Sequence, residues 1–338
     1  MYEAHFRLKH RPFRSTPVST SYYSSASHEL ILARALEALG GEEGLCLLTG
    51  LPGTGKTLLC HRLLGRLSEQ TNLVFLTNSH FADLSSLLQA LLYDLSLPYE
   101  GRTEQELRLI LTDFLLNQFG EGRRTVVVID EAQHLTPCLL EELRLWCNLE
   151  TEDRRAIQVV LAAQPGLLET LRQPELAALS QRLATRLHLE PLSLEESAAY
   201  LNHQVRAAGG RPENIFADEA LEILCGAAKG LPRMLNHVAN QALAVAFQAK
   251  VATVDAEVAI EAVLALGLEL EAEASAEPHF GTRTAVASPA DAIALANSEP
   301  RHSDALKAPK RQLKPRKARG PAFDQVVNSE RTTDRRPA

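Results

Sequence analysis

The residues best suited to chemistry begin at Gly50. The run Gly50-Leu51-Pro52-Gly53-Thr54-Gly55-Lys56-Thr57 sets glycines, a lysine and a hydroxyl residue at the spacing G-x-x-x-x-G-K-[ST]. Glycines let a loop curl until its backbone N–H groups converge, and such a nest attracts anions. A helix starting near Gly55 would add the positive end of its dipole. Lys56 would neutralise the β- and γ-phosphates of a nucleotide, and the Thr57 hydroxyl is an oxygen ligand for Mg²⁺. The residues expected to hold the nucleotide therefore run from Gly50 to Leu58, joined by Asp130.

The second group is acidic. Val126-Val127-Val128-Ile129 is a β-branched run that reads as a buried strand, followed at once by Asp130-Glu131. Ligands gather beyond the carboxyl ends of parallel strands, so this pair would face the glycine loop. Asp130 would hold Mg²⁺ through water, and Glu131 would take the proton of an attacking water. Gln164 follows the apolar run 157–161 and would project toward the γ-phosphate if that strand lies between the other two. Arg182 and Arg186 bracket the start of the last strand, where either arginine could reach a nucleotide on a neighbouring subunit. Arg233, in Gly230-Leu231-Pro232-Arg233, opens a later helix and could touch phosphates from above. The expected catalytic set is Glu131, Gln164, Arg182 and Arg233, with Arg186 as the alternative to Arg182, and the expected ligands are ATP and Mg²⁺.

These side chains need a scaffold with alternating elements. Short apolar runs at 45–49, 73–77, 125–129, 157–161 and 186–189 read as five strands. Between them, helical spacing covers 28–39, 58–67, 83–96 and 103–119, and Thr136-Pro137 has the form of a helix start. Strands alternating with helices predict parallel pairing in an α/β sandwich of P-loop type. After Pro191 strand signals stop, and 195–208, 218–228, 232–248 and 255–268 read as four helices. The expected organisation is an N-terminal segment with the first helix (1–41), a nucleotide-binding αβα core (42–191), a small all-helical domain (192–270) and a disordered, locally basic tail (271–338). Residues 1–27 are too irregular to form one element.

Composition narrows the class. The 338 residues are 45% hydrophobic, enough to bury one or two cores. No apolar run approaches the roughly 18–20 residues needed to cross a bilayer, and the polar, proline-broken N-terminus does not read as a secretory signal. Cys46, Cys60, Cys138, Cys147 and Cys225 are odd in number and lack a C-x-x-C pair, so each is expected to be a small buried hydrophobe in a reducing, cytoplasmic setting. The 11 histidines show no metal-ligand spacing, and His61, His134 and His203 read as surface or packing positions. Net charge is −7, yet 271–338 carries 12 Lys/Arg against 9 Asp/Glu. Within it, 301–319 holds eight basic residues against Asp304 alone. Such an arm suits salt-sensitive, sequence-neutral contact with DNA, although it has no aromatic residue for stacking and the body is acidic.

Several blocks together carry a family likeness. TGLPGTGKT (49–57), VVVIDEAQHL (126–135), VVLAAQPGL (159–167), LSQRLATRLHLEPLSLEE (179–196) and GLPRMLNHVANQALAVAF (230–247) resemble the AAA+ ATPases related to ExeA, the general-secretion-pathway protein A group. The opening MYEAHFRLKHRPF and YYSSASHELILARAL (22–36) are similar too, so the likeness covers about residues 1–265. It implies a five-stranded AAA+ core with a helical lid, in an oligomer, acting on a protein partner it does not name. It assigns Gln164 as first sensor, Arg182 as arginine finger and Arg233 as second sensor, and it sets Pro12, Phe13, Tyr22 and Tyr23 near the adenine. Envelope-secretion members of that group continue into a membrane helix and a peptidoglycan-binding region, and no counterpart is expected in this tail. The same core resembles transposition helpers of the TniB kind, which act on DNA.

Overall fold

The computed structural model describes residues 2–14, 22–41, 43–68, 70–151 and 154–269. The expectation for the basic tail 271–338 lies outside the described residues.

Ser25 caps the first helix, α1 (Ala26–Gly40), which leads into β1 (Leu45–Gly50) and α2 (Lys56–Leu64). Next come β2 (Thr71–Leu76), α3 (Leu84–Asp94), α4 (Glu104–Gly120) and β3 (Arg124–Ile129). Thr103 and Glu106 form a reciprocal capping box at the start of α4, which satisfies two otherwise orphaned N–H groups. Thr136 caps α5 (Pro137–Trp146), with proline at the first helical position as the sequence predicts.

A two-residue ribbon, β4 (Glu150–Thr151) with β5 (Arg154–Arg155), precedes β6 (Ile157–Ala163). Two short helices, α6 (Leu167–Thr170) and α7 (Ala177–Arg182), then lead to β7 (Thr185–Leu189). The ribbon and these two helices were not expected, being too short for periodicity to register.

All five main strands pair in parallel, in the order β2-β3-β6-β1-β7. The fold is therefore the predicted α/β sandwich. The inner strands β1 and β6 are buried along their whole length, while β2 and β7 at the edges are buried only in part. Side chains of β1 divide by parity, as a pleated strand requires. Leu45 and Leu47 enter a core with α3, α4 and α5, whereas Cys46 and Leu48 face Leu32, Leu59 and Leu63 of α1 and α2.

The remaining helices, α8 (Leu194–Ala207), α9 (Asp218–Ala228), α10 (Pro232–Ala249) and α11 (Ala256–Ala265), bury a second core of their own. Tyr2, Phe6, Leu8 and Phe13 belong to that core, although the whole sheet layer lies between them and it in sequence. The irregular N-terminal segment is thus part of the helical layer's packing. One correction concerns Cys138: it is exposed near the start of α5, whereas the other four cysteines are buried as expected. No helix among the described residues is long and apolar enough to cross a membrane.

Candidate functional site

Three neighbouring strands deliver the site. β6 lies between β3 and β1, as the sequence argument for Gln164 required, so Gly50, Asp130 and Gln164 leave adjacent strand ends. These ends open on a cavity of about 1090 Å³. Residues 52–58, Glu131 and Gln164 line one side, and Phe13, Tyr200, Arg233 and Asn236 are among those lining the other. Gly50, Leu51 and Asp130 do not line it themselves, and Asp130 is 3% exposed.

The glycine loop is held from behind. Gly55 caps α2 with φ +105°, a backbone conformation that side chains rarely adopt, and a Cβ there would lie 3.2 Å from Nε2 of His28. Nε2 of His28 lies 3.0 Å from the Thr54 carbonyl, and its Nδ1 lies 2.7 Å from the Ser25 hydroxyl. A carbonyl only accepts, so Nε2 carries the proton and Nδ1 accepts from Ser25. Burial pulls the His28 pKa down, more strongly than its contacts with Thr54, Glu196 and Glu29 raise it. The Lys56 ammonium donates to the carbonyls of Gly50 at 2.9 Å and Leu51 at 3.0 Å. Burial lowers its pKa too, against Glu131 and Asp130, which pull it up.

The acidic pair is held just as closely. Thr57 Oγ1 donates to Asp130 Oδ2 at 2.5 Å, while Asp130 Oδ1 accepts the Glu131 N–H at 2.9 Å. Glu131 itself has φ +52°, a left-handed conformation that costs a non-glycine residue about 1–2 kcal/mol. The Ser79 hydroxyl pins its carbonyl at 2.5 Å. Its carboxylate Oε2 accepts from Gln133 Nε2 at 2.5 Å and from Gln164 Nε2 at 3.3 Å. Burial pushes the Glu131 pKa up, but those two hydrogen bonds, with the charges of Lys56 and His134, outweigh it. The carboxyl therefore sits below the ordinary carboxylate range and is ionised at neutral pH.

The arginines separate into two groups. Arg233 lines the cavity at the second position of α10, and its N–H donates to the Gly53 carbonyl at 3.3 Å. Arg182 and Arg186 are both exposed, and neither lines this cavity. Arg186 is engaged, its Nη2 donating to the Ser180 carbonyl and hydroxyl at 2.9 and 2.8 Å. The Arg182 side chain has no hydrogen-bond or ion-pair partner among the described residues. Pro12, Phe13, Tyr22 and Tyr23 line the cavity together.

Sequence reasoning passed over Ser25, His28, Ser79 and Gln133. Gln133 had a signal, since it stands two residues past Glu131 in the same turn. His28 had none, because its contact with Thr54 joins residues 26 apart.

The donor set fits the two ligands expected. Thr57 and Asp130 offer the hard oxygen atoms that Mg²⁺ takes. A Cβ on Gly50 would lie 2.8 Å from the Leu189 carbonyl and one on Gly53 would lie 3.1 Å from Arg233 Cβ, so the loop is a cradle without room for side chains.

Residues 39–171 match the family model described as an AAA domain. The chain carries an AAA domain. Over 248 residues the chain is 39% identical to General secretion pathway protein A of Aeromonas hydrophila, an alignment covering 73% of this chain and 45% of that protein. It thus spans under half the length of this relative. Among solved structures, the AAA domain and its helices are similar to the ORC2 protein of Aeropyrum pernix in its ADPNP-ADP complexes. That match has 17% identity and a TM-score of 0.59, over 76% of this chain and 71% of the other. Drosophila ORC bound to DNA gives 17% identity and a TM-score of 0.60, over 79% of this chain and 66% of that one. At such identity the likeness concerns the fold, that of the AAA+ P-loop NTPases.

Proposed function

We propose that the AAA domain binds ATP with Mg²⁺ and hydrolyses the γ-phosphoryl bond, and that the chain works as an oligomeric switch or motor. The observation that carries this reading is the convergence of Lys56, Thr57, Glu131 and Gln164 at one cavity beyond three adjacent strand ends, with Asp130 bonded to Thr57 behind them. Residues 50–58 cradle the phosphates through backbone N–H groups and Lys56. Thr57 and Asp130 hold Mg²⁺, which when bound neutralises charge on the β- and γ-phosphates. Glu131, already ionised, accepts the proton of the attacking water. Gln164 orients that water, and Arg233 reaches the phosphates from the helical lid. Arg182, exposed and unengaged, serves the nucleotide of a neighbouring copy, where a guanidinium stabilises charge developing in transfer. Arg186 is the weaker candidate because Ser180 already holds it. Hydrolysis alters how the lid sits on the core, and a partner in the cytoplasm reads the change.

Phosphate release by the full chain, with Mg²⁺ and with excess chelator, tests the activity. The interface role has its own test. Arg182→Ala should lose about 10³–10⁵-fold in turnover, while mixing it with Glu131→Gln should restore activity. In the mixture an intact site stands beside an intact arginine. Mixtures as inactive as either variant alone would mean that Arg182 does not serve the nucleotide of a neighbouring copy.

A second reading rests on the basic run 301–319, which lies outside the described residues: an ATP-controlled regulator associated with DNA. Binding of duplex DNA across a salt series, with and without residues 300–338, decides it. Unchanged binding on removal of the tail would end that role for the run.

A further inference from the structure

Gln133 is accounted for by neither the glycine loop nor the acidic pair. It stands in the 3-10 turn Ala132–His134, half-buried, and unlike Glu131 and Gln164 it does not line the cavity. Both ends of its amide are nevertheless committed to those two residues. Nε2 donates to Glu131 Oε2 at 2.5 Å, and Oε1 accepts the backbone N–H of Gln164 at 3.1 Å. Nε2 also lies 3.3 Å from His134 Nε2. These partners set the amide's orientation. A flipped amide would turn its oxygen against a carboxylate and its NH₂ against a backbone N–H.

The contacts close a ring. The side chain of Gln164 reaches the same carboxylate oxygen at 3.3 Å, so Glu131, Gln133 and Gln164 bond pairwise. One side chain thereby ties the loop after β3 to the loop after β6, the two that carry the proposed base and the residue beside it. Glu131 leaves its strand in a left-handed conformation, and its carboxylate stands at the end of a flexible stem. Hydrogen bonds from outside are what select one position for such a group.

We propose that Gln133 is a positioning residue that holds the Glu131 carboxylate and Gln164 together for attack on the γ-phosphate without touching nucleotide itself. This rests on the reading of Glu131 as the base. Misplacing a catalytic group by about 1 Å costs on the order of 10²-fold in rate, while binding made elsewhere is untouched. The phosphate cradle shares no atom with this ring. The effect of losing Gln133 should therefore fall on kcat alone.

The experiment uses the full chain with Gln133→Ala and Gln133→Glu, measuring steady-state kcat and KM, affinity for a fluorescent ATP analogue, and melting temperature. Gln133→Ala should lower kcat about 10–100-fold, leaving KM, analogue affinity and melting temperature near wild type. Gln133→Glu keeps an acceptor for the Gln164 N–H but sets a carboxylate against the Glu131 carboxylate, so it should lose at least as much. In a Glu131→Gln background, single-turnover rates should show a much smaller further loss from Gln133→Ala, because the residue acts chiefly through Glu131. Three results would overturn the proposal: an unchanged kcat in Gln133→Ala, an equal further loss in the Glu131→Gln background, or a loss that follows analogue affinity or melting temperature. Normal turnover by Glu131→Gln alone would overturn the base assignment, and this proposal with it. Normal turnover by Gln133→Ala beside an impaired Glu131→Gln would overturn this proposal only.

Discussion

The two walls of the cavity are built on different principles. On the sheet wall, each functional group is fixed by a named hydrogen bond within the core, such as Thr57 to Asp130, Gln133 to Glu131 or His28 to Thr54. On the helical wall, packing carries more of the positioning: Phe13 lies 4% exposed against Phe216, and Tyr2, Phe6 and Leu8 complete the core of α8–α11, with the Tyr200 hydroxyl donating to Asn236 at 2.9 Å beside them. Fixed polar groups suit chemistry, where a small displacement changes the rate. Packed apolar groups suit enclosure, where shape matters and a shift is tolerated. Changes in the sheet wall should alter binding and turnover with little effect on stability. Changes in the helical wall should do the reverse.

Phe13→Ala would press that contrast hardest. Truncating a buried aromatic should destabilise the protein by about 3–5 kcal/mol, read as a lower urea midpoint, while the protein that remains folded keeps its turnover. If stability held and turnover collapsed instead, Phe13 would belong with the chemistry. Gly230→Ala comes next, at the start of the run leading into α10. Its φ is +68° and a Cβ would collide with the Leu192 carbonyl, so about 3 kcal/mol should be lost. A neutral result by thermal melting would show that this junction has more room than its geometry allows.

Lys56→Ala tests the opposite wall. Losing a charged hydrogen-bond donor should weaken nucleotide binding by about 1.5–3 kcal/mol, measured by titration with a fluorescent analogue. The urea midpoint should hold or rise, since a 4% exposed ammonium no longer has to be desolvated. A large fall in stability would erase the distinction between the walls. The smallest effect belongs to the seam between them. Glu196 closes the capping box of α8 with Ser193 and accepts from the Ser27 hydroxyl at 3.3 Å. Glu196→Ala should remove about 1 kcal/mol or less, and a larger loss would make that seam a principal support.

The same contrast explains what could be read beforehand. The sheet wall was legible because its groups are local: a tight loop dictates glycines and a buried strand dictates a β-branched run, so 50–58 and 126–131 stand out as contiguous words. Parallel pairing followed from alternation, and α9 fell on the residues its periodicity predicted. Gln133 was harder, because its role depends on the left-handed turn at Glu131, which brings its amide back to the carboxylate. The helical wall was legible only as helices. That Tyr2, Phe6 and Phe13 join α8–α11 depends on contacts spanning most of the chain, and periodicity within a window carries no trace of such pairings. Cys138 shows the same limit: its residue type favours burial, yet its place on α5 faces outward.

The most direct measurement is ATP turnover by Glu131→Gln beside the unaltered chain, with nucleotide binding recorded on the same preparations. The exchange keeps size and hydrogen-bonding capacity and removes only the ability to take a proton. Binding should be retained, and phosphate release should fall by about 10²–10⁴-fold. Phosphate release at the unaltered rate would contradict the assignment of Glu131 as the base.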